Sequence, residues 1–301
     1  LNNRETDFAK HSYEIAAKFG LVAVLLVIVM GDESGYSVGK IQKAKFAAIE
    51  AEWHTETPPA AFTPIAFPNQ QTMENDFAVK IPWILGIIGT RSLDTPIIGL
   101  TDIVKENRQR IRNGIKAYSL LQELRDDKHD PQLLADFARY KPDLGYGLLL
   151  KAYTEKVTDA SEQQIEQAAK SSIPQVAPLF WTFRIMVGCG FTLLLISGLT
   201  FFYTVIRKTS PMWLLKLNLY AVPLPWIASE MGWFVSEFGR QPWAVADVLP
   251  TFLSVSSLSV TQMVISLIAY IALYSLFLAV EMFLMIRYIR QGVVYHTEGE
   301  A

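Results

Sequence analysis

The sequence LFWTFRIMVGCGFTLLLISGLTFFYTVI, from Leu179 to Ile206, contains Arg184 as its only charged residue. A helix needs roughly 20 apolar residues to cross the hydrocarbon core of a bilayer, and this stretch is long enough. A second stretch, from Val260 to Ile286, has Glu281 as its only charge. Because 51% of the whole chain is hydrophobic and these residues come in blocks, we predict an all-α fold, a multi-span transmembrane helical bundle.

Two further stretches are less clearly apolar, and with them we predict four membrane spans. Trp213 to Trp233 is mostly apolar but contains Lys216 and Glu230. Phe19 to Met30 is short and needs Tyr13 to Lys18 to reach across the membrane. Lys and Arg residues cluster at the span ends on one predicted side, which favours a cytoplasmic location for both ends of the chain. The resulting division is 1–30 for the first span with a cytoplasmic lead-in, 31–176 for a loop on the outer side, and 177–301 for spans two to four with a cytoplasmic tail.

The loop of residues 31–176 is too long for a simple connection, so it is expected to hold structure of its own. Pro58 to Pro68 holds four prolines and is predicted to be irregular. Phe77 to Gly89 is largely apolar and could dip into the membrane interface. Apolar residues at near-helical spacing predict helices over Lys40–Trp53, Asp102–Asp126, Asp130–Arg139 and Glu162–Lys170.

Charge and cysteine content exclude several classes of protein. The net charge of −2 argues against general nucleic-acid binding. The one cysteine, Cys189, lies inside a predicted span, which excludes a disulfide framework and a cysteine-clustered metal site. The chain begins at Leu1 with polar residues that do not resemble a secretory signal. We expect it to be the interior of a longer polypeptide.

The third predicted span carries an unusual polar pattern. Trp226, Glu230, Trp233 and Glu237 are spaced 4, 3 and 4 residues apart, so they form one stripe along a helix. Core packing does not need two carboxylates on that stripe, whereas a buried cofactor or a proton path would. Arg240 follows at the helix end, where it could pair with Glu237 or hold an anionic group such as a haem propionate.

The predicted topology brings polar residues from two spans to the same depth. Arg184 and Met186 lie near the outer end of span two, and Glu237 and Arg240 lie near the outer end of span three. A polar site at the outer membrane interface, next to the long loop, is therefore our hypothesis. Two alternatives remain open on the residues alone: a secondary transporter with Glu230 and Glu237 as proton-coupled residues, and a structural membrane subunit without redox centres.

The residues alone leave open whether this site binds haem. A lone methionine in a span, such as Met186, is usually a packing residue. None of the histidines lies within either of the two long apolar stretches; they are His11, His54, His129 and His296.

Three motifs resemble subunit I of the cytochrome bd quinol oxidases, in the same order over most of the chain. Trp233 to Trp243, WFVSEFGRQPW, contains that family's GRQPW signature. Phe183 to Gly188, FRIMVG, resembles its Arg-x-Met segment. Gly31–Tyr36, GDESGY, followed by KFAAIE at 45–50 and WHTE at 53–56, resembles the start of its quinol-binding loop. The chain is similar to the C-terminal portion of members with a long loop.

This resemblance implies roles for the unusual residues of the spans. Met186 would be an axial ligand of a low-spin b haem, and Glu237 would serve the iron of a high-spin b haem. Trp233 would stand between haems. Arg184 and Arg240 would contact haem propionates or stabilise charge near the quinol. The residues that the resemblance makes catalytic are Glu237, Trp233 and Arg184.

In the loop, Lys45, Glu50 and Asp32 are similar to quinol-binding residues, and Glu50 would accept a quinol proton. The resemblance implies electron transfer from a membrane quinol, ubiquinol or menaquinol, through two b haems to dioxygen reduced at haem d. It also implies an electrogenic enzyme of the bacterial cytoplasmic membrane with a second oxidase subunit, and it allows for small single-span subunits. The histidine ligands and the proton-entry residues of that family lie in N-terminal spans without counterpart here.

Overall fold

The computed structural model describes residues 6–126, 128 and 130–291, so Leu1, His129 and His296 lie outside the described residues. The chain divides into two compact units. One holds the residues up to Ala17 and those from Val255 onward, and the other holds Lys18 to Ser254. Among the described residues, three mainly helical stretches contain a helix that is long and apolar enough to cross a membrane, within Asp7–Ile41, Glu162–Ile206 and Val260–Gln291.

The first helix, α1, runs without a break from Thr6 to Ile41. It includes the short apolar stretch Phe19–Met30 and the preceding turns that the sequence needed for a crossing, which confirms a long helix there. The helix also continues beyond Met30, where the predicted span ended. The residues just after Met30, including the acidic pair Asp32 and Glu33, are therefore displayed on a helix and not on an irregular loop.

The prediction of one helix over Lys40–Trp53 is wrong, because the chain leaves helical geometry twice there. Gln42, at φ −121° and ψ 65°, separates α1 from α2, which runs from Lys43 to Glu50. Ala51 then ends α2 in the left-handed region at φ 55°, and its N–H donates to the carbonyl oxygens of the last turn. The turn at Ala51 redirects the chain immediately after Glu50.

A β-hairpin follows where the sequence indicated an irregular segment. β1, Phe62–Asn69, pairs antiparallel with β2, Glu74–Ile81, with Ala66 opposite Ala78. The prediction for Pro58–Pro68 is therefore wrong from Phe62 onward. A two-stranded sheet leaves each strand with a free edge, so prolines in β1 remove no required hydrogen bond. A single π-helical turn follows at Gly86–Thr90.

Four helices complete the loop around an apolar core, and three of them confirm predicted helices. Gly114 and Gly147 allow two of the helices to approach closely, because a Cβ on either would overlap the other's backbone. Ile111 and Leu150 are fully buried beside this crossing. The helices are α3, Leu100–Asp126; α4, Pro131–Tyr140; α5, Leu144–Leu149; and α6, Glu162–Ser171.

The second predicted span is helical throughout, as α7 from Val176 to Phe201 and a π-helical turn to Ile206. The stretch predicted as a third span is divided into α8, Met212–Ala221, and α9, Leu224–Phe238. Pro223 divides it because proline has no N–H for the helical hydrogen bond, while its backbone stays right-handed. That this stretch crosses the membrane stays a prediction.

A short hairpin lies near the end of the unit Lys18–Ser254, and the last helix follows it. β3, Trp243–Val245, pairs with β4, Leu249–Pro250. These two hairpins are the only sheets in the part of the chain that the structure describes, so the all-α prediction holds for the architecture. The final helix, α10, runs from Val260 to Gln291, so the stretch predicted as a span over Val260–Ile286 is confirmed as one continuous helix.

Candidate functional site

Helix α2 is bonded to two different long helices through residues five apart. Lys45 Nζ donates a hydrogen bond to the carbonyl oxygen of Ser236, 3.1 Å away near the end of α9. The Glu50 carboxylate accepts a hydrogen bond from the Arg184 guanidinium of α7 at 2.7 Å. Both Lys45 and Glu50 are buried. The structure therefore brings together loop residues and helix residues that the sequence singled out separately.

Arg184 has more donors than its partners use. The same Nη2 that binds Glu50 also donates to the carbonyl oxygen of Thr63 in β1 at 2.7 Å. The guanidinium carbon lies 4.5 Å from the ring centre of Phe180 and 4.7 Å from that of Phe62. Nε and Nη1 are buried without a hydrogen-bond partner among the described residues. Unpartnered buried N–H groups are costly, so these two donors suit an anionic group.

Burial shifts the pKa values of Lys45 and Glu50 in opposite directions. Burial raises the pKa of Glu50, against the opposing effects of the charge and hydrogen bond of Arg184. Burial also lowers the pKa of Lys45, and the Arg240 charge lowers it further while Glu237 opposes this. A carboxyl group whose pKa is raised takes up a proton more readily than an ordinary one. Glu50 is therefore a candidate for proton uptake at this site.

The carboxylate stripe on α9 remains continuous in the structure and faces away from the buried Val235. Glu237 forms an ion pair with Arg240 at 2.9 Å, one of the two roles that the sequence allowed for that arginine. Trp226, Glu230 and Trp233 are exposed on this side of α9 in the single chain. The stripe is an open face with aromatic and acidic groups, available to a cofactor or to further protein.

Met186 and Asp32 have different surroundings. Met186 lies against α9, where its sulfur is 3.1 Å from the position that a Cβ on Gly232 would take. Asp32 instead pairs with Arg91 at 3.0 Å, and Arg91 also binds Glu33 at 2.5 Å. Within the described ranges, Asp32 makes no hydrogen bond or ion pair with the α2 residues. The structure thus leaves Asp32 apart from Lys45 and Glu50.

A third polar connection, missed in the sequence, links the loop to the segment after the GRQPW motif. Arg110 of α3 binds Asp143 at 2.8 Å and Asp247 at 3.1 Å. The hydroxyl of Tyr146 donates to Asp247 at 2.7 Å, and burial followed by this hydrogen bond raises the pKa of Tyr146. Arg91 was missed as well. Neither arginine lies in a motif, and their partners are distant in sequence.

Comparison with known proteins places the chain in a family. The sequence profile described as cytochrome bd terminal oxidase subunit I matches residues 1–293. The chain belongs to the cytochrome bd terminal oxidase subunit I family. It is 44% identical over 293 residues to cytochrome bd-II ubiquinol oxidase subunit 1 of Escherichia coli (strain K12), covering 97% of this chain and 57% of that protein.

A second bd oxidase relative is more distant. Cytochrome bd ubiquinol oxidase subunit 1 of Bacillus subtilis (strain 168) is 26% identical over 303 residues, covering 100% of this chain and 53% of the relative. The chain therefore spans about half the length of these curated relatives. A solved structure of bd oxidase from Geobacillus thermodenitrificans matches with a TM-score of 0.61 at 18% identity, covering 93% of this chain and 49% of that one.

These relatives confirm the resemblance and the helical membrane fold. Membership in the cytochrome bd subunit I family implies haem cofactors and a membrane location. The transporter alternative based on Glu230 and Glu237 is not supported. The chemistry of the candidate site fits a haem group, because Arg184 keeps two buried donors for an anion and Met186 and Glu237 supply a thioether and a carboxylate.

Proposed function

We propose that this chain is part of subunit I of a terminal respiratory oxidase, an electrogenic quinol:oxygen oxidoreductase that generates proton-motive force. It would oxidise a membrane quinol and reduce dioxygen to water. The observation that supports this best is the buried pair between Glu50 and Arg184. It joins a base on the loop to a cation on a long apolar helix.

At the quinol end, four residues of the chain have separate tasks. Glu50 accepts the proton of a quinol hydroxyl, since burial raises its pKa above the ordinary carboxyl value and so favours proton uptake. Arg184 holds the Glu50 carboxylate in place and stabilises negative charge on the quinol oxygen. Lys45 orients the quinol beside the end of α9. Asp32, paired with Arg91, would contact the quinol from α1.

At the haem end, the assignments follow the chemistry of the donor groups. A low-spin haem b, a high-spin haem b and haem d would supply the one-electron and oxygen chemistry. Met186 would hold the low-spin haem iron and Glu237 the high-spin haem iron. Arg184 and Arg240 would bind propionates, which charge-assisted bonds to arginine favour. Trp233 would lie between haems on the open face of α9.

The proposed setting is the bacterial inner membrane, with both ends of this chain cytoplasmic and residues 31–176 periplasmic. Residues 1–30 and 177–301 would hold the four spans. Ubiquinol or menaquinol would be the reductant and dioxygen the oxidant. A second oxidase subunit and small single-span subunits would cover exposed faces of the helices, since α10 has no buried residue of its own.

Haem content and optical spectra of the complete oxidase test the ligand assignments. Met186→Leu keeps much of the side-chain volume and removes the sulfur, so the low-spin signal should disappear or become high-spin while the other haems remain. Glu237→Ala should alter the high-spin b haem and oxygen reduction. Met231→Leu on α9 is the matched control and should leave every signal unchanged. If Met186→Leu and Glu237→Ala abolish the same haem, or alter no spectrum, the assignments are wrong.

Quinol kinetics test the loop half of the site independently. Lys45→Ala should mainly raise KM, because it removes binding. Glu50→Ala should lower kcat as well, because it removes the base. Lys43→Ala changes an exposed lysine on the same helix and should behave like the wild type. Normal quinol kinetics in both test variants would remove α2 from the quinol site.

A further inference from the structure

A pocket of about 250 Å³ opens beside the end of α2. Liquid water occupies about 30 Å³ per molecule, so a polar pocket of this size holds several waters. The neighbouring Glu50 lies on the other side of the left-handed turn at Ala51. The pocket is lined mainly by Glu52, Trp53, His54, Glu56, Asn75 and Lys80.

Glu52 is the buried acid of this pocket. Its backbone is held on both sides, because its N–H donates to the Ala47 carbonyl at 2.8 Å and its carbonyl accepts from the Leu100 N–H at 3.0 Å. The residue is only 3% exposed. Its Oε1 has no hydrogen-bond partner in the described part of the chain. A buried carboxyl oxygen needs such a partner, and pocket water can provide it.

The charges around Glu52 differ in how they are compensated. Glu56, which also lines the pocket, accepts a hydrogen bond from the Ala61 N–H at 3.0 Å and forms an ion pair with Lys80. Burial, then the Glu56 charge, raises the pKa of Glu52 to about 8, with Lys80 opposing and Glu50 reinforcing the shift. His54 and Glu74 complete the titratable groups that line the pocket. Glu52 therefore binds and releases a proton near neutral pH.

We infer that Glu52 is the proton-exit residue of this site, receiving a proton from Glu50 and passing it to water in the adjoining pocket. The inference rests on the proposed quinol oxidation. A quinol O–H bond breaks, its electron pair stays on oxygen, and the proton bonds to the Glu50 carboxylate. That proton moves to Glu52 after Glu52 has released its own to pocket water. No electron moves in this relay, and each carboxyl group returns to its starting state.

Turnover of the complete oxidase with excess quinol tests the relay. Glu52→Gln keeps the shape but cannot exchange a proton, so kcat should fall about tenfold or more with little change in KM. Glu52→Asp keeps the carboxyl group and should recover much of the rate. Glu74→Gln removes an exposed carboxylate from the rim of the same pocket and should leave turnover unchanged. Wild-type turnover in Glu52→Gln would overturn the inference.

Chemical rescue separates a proton relay from a structural role. Glu52→Ala leaves space for a small acid, so added formate should restore turnover in proportion to its concentration while haem spectra stay normal. If formate has no effect and Glu52→Asp is as slow as Glu52→Gln, Glu52 only supports the fold and the inference is wrong. If the wild type itself oxidises no quinol, the proposed function fails instead, so the two failures are distinguishable.

Discussion

The loop of this chain buries its apolar residues, whereas the last helix, α10, leaves its apolar residues exposed. The loop from α2 to α6 has an extensive core of buried side chains, including Leu100, Ile111 and Leu150 at 0% exposure. No residue of α10, all of which the structure describes, is buried, although most of its residues are apolar. The loop follows the rule for proteins in water. A helix apolar on every side is instead suited to lipid or to surrounding protein.

The difference explains why the candidate site lies where loop and helix meet. Glu50 comes from the water-adapted loop, and Arg184 comes from an apolar helix. Each charge would be costly to bury alone, and the pair is only 4% and 11% exposed. The junction is therefore where single changes should have the largest effects. Substitutions within the loop alone should show the cost of losing buried apolar contacts, and substitutions within α10 alone should show little cost.

The largest effect is expected for Arg184→Met in the complete protein. It leaves Glu50 buried without its cation, which typically costs about 3–5 kcal/mol. Arg184 lowers the pKa of Glu50, so its loss raises that pKa further above the ordinary value. Because a raised pKa costs stability only as the pH rises and the carboxyl group ionises, the variant should be less defective at pH 5 than at pH 8. Hydrogen exchange of loop amides at both pH values measures this; a defect independent of pH would contradict it.

The next effect compares matched truncations in the two regions. Ile111→Ala opens a cavity in the loop core and should destabilise it by about 2–5 kcal/mol. Leu276→Ala on α10 removes a side chain that is 59% exposed, so its cost should be far smaller. Thermal unfolding of both variants measures the contrast. An equal loss at Leu276 would show that another protein surface packs on α10 in the oxidase.

A smaller contrast concerns two helical glycines. Gly114→Ala places a Cβ into the backbone at Gly147, so α3 and α5 must separate, at about 1–3 kcal/mol. Gly198→Ala on α7 meets nothing within 4 Å and should be neutral or stabilising by up to about 1 kcal/mol. Loop hydrogen exchange and thermal unfolding report the two effects. Destabilisation by Gly198→Ala would locate a close neighbour outside this chain.

The smallest effect is expected at the loop surface. Arg112 and Glu162 form an ion pair at 2.8 Å, with side chains 41% and 73% exposed. Such pairs contribute at most about 1 kcal/mol, so Arg112→Ala should barely change α3 exchange. Arg110→Ala, which breaks the connection to Asp143 and Asp247, is the informative neighbour and should cost more. Equal effects would mean that the partly buried connection of Arg110 contributes no more than a surface ion pair.

Helices with strong local signals were predictable from the sequence. Asp102–Asp126 and Glu162–Lys170 agree with α3 and α6 to within two residues, because 3.6-residue periodicity and capping residues are local properties. The hairpin at Phe62–Ile81 was not predicted. Its prolines indicated irregular chain, and strand pairing depends on a partner that no single window contains.

For the candidate site, the sequence by itself determined the residue types and the local pair. Glu237 and Arg240 are three apart, so helical geometry alone allows their contact. Only the tertiary structure decided that Lys45 meets Ser236, 191 residues away, and that Glu50 meets Arg184, 134 residues away. Helical periodicity specifies which residues share a face. The partner of that face, and the buried carboxyl of Glu52 beside it, depend on how separate segments pack together.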